Sequence, residues 1–176
     1  MRDHVALYDG NTALDVPASE HPSYYGPIET LILPLPSTID IAGSSIPEGA
    51  DAAYRLGIWL LRARGALHDP NRAKTALTKA AEAGDARAMW ELGLLLAAGS
   101  DGVPPDLVLA ADYLLAAQRA DDPFALMDLN EANRRLPKSL RQIIQERLKA
   151  AGYYNGAIDG DIGPGTHKAL LAYRRG

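Results

Sequence analysis

Tyr54-Arg55-Leu56-Gly57 and Trp90-Glu91-Leu92-Gly93 stand thirty-six positions apart and spell the same pattern: an aromatic two residues before a Leu-Gly pair. The correspondence continues downstream. Asp69 is followed four residues later by Ala73 and then by Lys79-Ala80-Ala81. Asp106 is followed four residues later by Ala110 and then by Leu115-Ala116-Ala117. The second copy holds one more residue in its turn, so the offset grows to thirty-seven. A recurring unit of this length predicts a stacked array of helix pairs, in which no single unit can bury its apolar face alone.

The helices follow from apolar spacing and from their end signals. Ala53, Leu56, Leu60 and Leu61 recur at helical intervals and predict a first helix over about 52–64. Asp69-Pro70 supplies an N-cap and a favourable first helical residue for a second helix to about Ala83, with Ala73, Ala76, Leu77, Ala80 and Ala81 inward. Gly84 closes it in the left-handed conformation. A third helix is expected from near Asp85 to Gly99. A fourth is capped by Asp106 after the Gly102-Val103-Pro104-Pro105 turn and ends near Arg119. Asp122-Pro123 opens a fifth, through Phe124, Ala125, Leu126 and Leu129. Gly57 and Gly93 fall in mid-helix, where glycine costs about 1 kcal/mol against alanine. That cost is reasonable where two backbones cross with no room for a Cβ.

Taken together, Leu-Gly, a glycine-rich turn, Asp, Ala and the run Lys79-Ala80-Ala81-Glu82-Ala83-Gly84-Asp85-Ala86 resemble the Sel-one-like repeat, a branch of the tetratricopeptide superfamily. The resemblance covers about residues 50–130. It implies a protein-binding scaffold and no catalysis.

Residues 137–176 differ in character. Pro137-Lys138-Ser139 interrupts the helical run, and Ser139 is positioned to cap a helix through Ala151. On that helix Leu140, Ile143, Ile144 and Leu148 form one face, with Arg141, Gln145, Glu146 and Lys149 outside. Gly152 ends it. Asp159-Gly160-Asp161 marks a turn, and a last helix is expected over 166–174 with Ala169, Leu170 and Tyr173 inward. The spacing of Gln145, Leu148, Gly152-Tyr153-Tyr154, Asp159-Gly160, Gly163, Thr166, Ala169 and Tyr173 resembles the peptidoglycan-binding-like domain, a small three-helix bacterial module. The resemblance implies a bacterial envelope setting, with peptidoglycan as one partner. Arg174 stands where that family has Gln, and the start of the module is absorbed into the segment before Pro137.

Residues 1–49 hold half of the prolines, and these exclude long helices. Tyr24-Tyr25-Gly26-Pro27 reads as a turn, and Thr30-Leu31-Ile32-Leu33 as one extended segment with no partner strand in the chain. Such a leader becomes ordered by lying against another protein or by wrapping over its own repeats. Tyr24, Tyr25, Leu31 and Leu33 are therefore candidate partner-binding residues. Trp59 is either an outward anchor for a partner or a buried aromatic.

The totals exclude several classes. The chain has 176 residues, a 47% apolar fraction, a net charge of −4 and no cysteine. No basic stripe with interleaved aromatics points to nucleic acid. No apolar run is long enough to span a bilayer. Met1-Arg2-Asp3-His4 is not followed by the apolar core of a secretory signal. His4, His21, His68 and His167 are scattered without metal-ligand spacing, and no nucleophile context is present. The expectation is thus a mainly α chain: an extended Pro-rich segment (1–49), helical repeats (50–136) and a peptidoglycan-binding-like module (137–176). No catalytic, cofactor or metal residue is assigned. The expected role is a non-catalytic interaction scaffold, an accessory subunit of a larger periplasmic complex contacted through the leader and the repeat face. The alternative is cell-wall anchoring, with Tyr153, Tyr154 and Asp159 as candidate glycan contacts. For Asp159 the ordinary reading is the turn itself, and for the tyrosines a small core.

Overall fold

The computed structural model describes residues 4–8, 13–17, 45–120 and 135–176, the first two stretches through their backbone. Two strands, β1 (His4–Tyr8) and β2 (Ala13–Pro17), are followed by six helices: α1 (Ala50–Arg62), α2 (Pro70–Glu82), α3 (Ala86–Ala98), α4 (Leu107–Arg119), α5 (Lys138–Ala150) and α6 (Pro164–Arg175). A 3-10 turn, Gly65–Leu67, links α1 to α2. The molecule is mainly α, as expected. No helix among the described residues is long and apolar enough to cross a membrane.

The helix ends obey the cap residues. Asp69 accepts from the Arg72 amide at 2.9 Å, Asp85 from Arg87 and Ala88 at 3.0 and 3.2 Å, and Asp106 from Leu109 at 2.9 Å. Each carboxylate satisfies amides that the first helical turn leaves without partners. At the end of α2, the Asp85 amide reaches back to Ala80 O and the Gly84 amide to Ala81 O, with Gly84 at φ 89°. That paired arrangement turns the chain straight into α3. One cap differs from expectation. Pro137, not Ser139, precedes α5, and Ser139 lies inside it, so no side chain caps that helix.

Packing repeats with the sequence. α1 pairs with α2 and α3 with α4, while α2 against α3 joins the two pairs. A Cβ built on Gly57 would lie 2.6 Å from Leu77 Cγ and 3.3 Å from Ala73 O. One built on Gly93 would lie 2.7 Å from Leu114 Cγ and 3.2 Å from Ala110 O. The two crossings are the same crossing, displaced by one repeat. Ala73, Leu77, Ala110 and Leu114 are fully buried. Tyr54 and Trp90, the matching aromatics, are both buried as well.

One buried cluster extends from Ala53 on α1 to Leu170 on α6. α4 supplies the junction, since both α5 and α6 pack on it. Two helices lie within residues 137–176. The third helix expected of the module, like the helix expected from Asp122-Pro123, would lie outside the described residues.

The leader departs from a single extended run. β1 and β2 pair antiparallel, with Val5 opposite Val16 and Leu7 opposite Leu14. In the sequence between them, Asp9-Gly10-Asn11 is a hairpin signal that composition counts do not register. Tyr24, Tyr25, Leu31 and Leu33 lie outside the described residues. The end of the leader folds back on the repeats. Ile46 packs against the core, Lys79 Nζ donates to Ile46 O at 3.4 Å, and Lys79 pairs with Glu48 at 2.9 Å.

Gly57→Ala is expected to destabilise the protein by about 1–3 kcal/mol, because Leu77 has no space to retreat. Gly93→Ala is expected to behave alike. Urea unfolding measures this: the midpoint falls while the slope is unchanged. An unchanged or higher midpoint contradicts the close crossing.

Candidate functional site

α5 carries the residue that organises the C-terminal module. Gln145 is fully buried, although helical periodicity assigns it to the outer face. Its carboxamide points across to the loop between α5 and α6. Oε1 accepts from the Gly160 amide at 2.7 Å. Nε2 lies 2.8 Å from Asp159 Oδ1 and 2.9 Å from Asp161 O, with Thr166 Oγ1 at 3.2 Å. Thr166, at the start of α6, donates to Asp161 O at 3.0 Å and is itself buried. One side chain therefore holds both sides of the Asp159-Gly160-Asp161 turn and ties it to the next helix. Gly160 has φ 77°, and a Cβ there would press on Lys138 O at 3.0 Å, so the turn requires glycine.

Asp159 is exposed at this turn and accepts from Gln145 and from the Asp161 amide at 2.8 Å. The Gln145 hydrogen bond, with that amide, holds its carboxyl below the usual range. Its geometry is that of a turn cap. Tyr154 is half-buried and donates to Ala157 O at 2.9 Å, bracing the same loop. Tyr153 belongs to another group: its ring meets Tyr173 edge-on, with centroids 5.4 Å apart, and the Arg119 guanidinium lies 4.3 Å above the Tyr173 ring. The three candidate glycan residues are thus divided, with Tyr154 and Asp159 around Gln145 and Tyr153 at the junction with α4.

That junction also holds a bidentate pair. Arg147 Nε and Nη2 donate to the two Asp112 oxygens at 2.9 and 3.3 Å. Both partners are about half exposed, so the pair contributes at most about 1 kcal/mol. It sets orientation, while the apolar cluster beneath supplies the adhesion.

On the repeats, Arg87 connects the two units. It pairs with Asp85 at 2.6 Å and with Asp51 at 3.1 Å, and lies over the Tyr54 ring at 4.3 Å. Burial pushes the Asp51 carboxyl up, but Arg87 and Arg55 hold it below the usual range. Glu91 is buried beside Arg62, 4.0 Å away, and burial raises its carboxyl. Trp59 is not an outward anchor. It is 6% exposed, in a cluster with Leu56, Leu60, Ala63, Ala73 and Ala76. It shares a stripe with Leu56 and Ala63, and the alanines of α2 leave room for the indole.

Residues 138–175 match the family model described as a putative peptidoglycan binding domain. No Sel-one-like or tetratricopeptide family model is matched over the repeats, so the array rests on its own internal symmetry. No curated protein and no solved structure gives a match.

Gln145→Leu leaves the buried Gly160 amide without an acceptor, a loss of about 1–3 kcal/mol. Faster amide exchange across 158–166 is the expected signature, with α1–α4 unchanged. The Asp159 contribution carries a pH sign. Its folded pKa lies below the ordinary 3.8, so the stabilisation is present above that value and is lost as pH falls through the folded pKa. The gap between wild type and variant should narrow on acidification. A gap independent of pH contradicts the Gln145–Asp159 bond.

Proposed function

We propose that this chain is a non-catalytic protein of the bacterial envelope that attaches to peptidoglycan through residues 138–176. The observation that carries the reading is the family match over 138–175, together with the intact Gln145-held turn inside it. Charge supports it. Residues 138–176 hold seven Lys or Arg against three Asp or Glu, whereas residues 1–137 hold eleven against nineteen. A basic module on an acidic chain suits a polymer that carries carboxylates. A periplasmic location accords with this role.

A second reading is favoured by the duplicated helix pairs. Stacked units whose backbones cross identically at Gly57 and Gly93 form a rigid scaffold of the kind that binds other proteins. On this reading the chain is an accessory subunit, and its module is the tether of a larger complex.

Sedimentation of the whole chain with purified peptidoglycan sacculi at low salt tests the first reading. The protein is expected in the pellet and should be released as salt rises. A chain that stays in the supernatant at low salt removes wall attachment and leaves the scaffold reading, which co-purification under mild extraction examines.

A further inference from the structure

Arg119 is the last residue of α4, outside the residues that match the family model. It is exposed, yet its direction is set. The guanidinium lies over Tyr173 at 4.3 Å, and Nε is 3.4 Å from Tyr173 O. Tyr173 is held in turn by the edge of Tyr153. Three other surface arginines are paired with carboxylates: Arg147 with Asp112, Arg87 with Asp85 and Asp51, Arg55 with Asp51. Among the described residues no carboxylate lies within ion-pairing distance of Arg119. With Nε turned to the carbonyl, the two Nη groups form an end-on fork, the geometry that takes a carboxylate through two parallel hydrogen bonds.

We propose that Arg119 belongs to the peptidoglycan-binding surface, where its Nη fork receives a free carboxylate of a stem peptide. The proposal rests on wall attachment as the function. It makes the surface composite: the module contributes Tyr153 and Tyr173, and the repeat array contributes the charge. Stacking on Tyr173 fixes the fork before the ligand arrives, so little side-chain freedom is lost on binding. The docking of α5 and α6 on α4 then has a functional consequence, because the anion site exists only while the two parts stay together.

The test uses the full chain and two preparations of sacculi, one native and one with its carboxyl groups amidated by carbodiimide and ammonia. Wild type should bind native sacculi roughly tenfold more tightly than Arg119→Gln, the scale of one charge-assisted contact. Amidation should weaken both proteins through the general charge of the module, but the advantage of wild type over Arg119→Gln should disappear on amidated sacculi. Arg119→Lys, which keeps the charge without the fork, should fall between. Matching thermal melts exclude a folding defect. If wild type pellets and Arg119→Gln pellets equally well on native sacculi, Arg119 is not in the site. If the variant is weaker by the same factor on both preparations, Arg119 only positions Tyr173, and carboxylate recognition is wrong. If wild type fails to pellet at all, wall attachment itself falls, and this inference with it.

Discussion

The constraint on which the helix stack depends is the space missing at Gly57 and Gly93. At each position the next helix brings a leucine to where a Cβ would stand, and the carbonyl of an alanine one turn earlier closes the gap. Glycine in mid-helix is unfavourable by about 1 kcal/mol, and the gain is a helix pair close enough to bury Leu77 and Leu114 completely. The small residues around these crossings, Ala73 and Ala110, serve the same approach. Because the second crossing reproduces the first, the pairs stack in register, and their flanks supply the surface on which the rest is built.

The C-terminal module is a continuation of this stack. α5 and α6 extend the buried cluster, and α4 faces the array on one side and the module on another. Attachment rests mainly on apolar burial, with Arg147–Asp112 and Arg119–Tyr173 fixing direction at the rim. The module thus bears directly on α4 through its own two helices.

The two parts solve burial differently. The repeats are filled by alanine and leucine, and their buried acid, Glu91, has Arg62 as a distant partner. The module is small, and its core includes a polar centre in which Gln145 replaces several backbone contacts that a loop cannot make for itself. A saturated amide in a dry setting is specific as well as stabilising, since each loss leaves a buried group without a partner. This explains why a short loop between two helices keeps one conformation.

Helix positions, the caps at Asp69 and Asp106, the repeat register and the tight Leu-Gly crossings were legible in the amino acids alone. They depend on local geometry and on spacing, which a linear reading preserves. Trp59, Gln145 and Arg119 were not legible. An amphipathic pattern ranks side chains by polarity, so it sends a glutamine outward and leaves a tryptophan's direction open. What draws Gln145 inward is a ring of loop atoms fourteen to twenty-one residues away, and what sets Arg119 is a ring fifty-four residues away. The hairpin at 4–17 carried its signal in Asp9-Gly10, yet strand pairing is likewise a contact between separate segments. The sequence by itself determined which segments are helices and that they repeat. Only the tertiary structure decided which polar groups meet, because that depends on how distant segments converge.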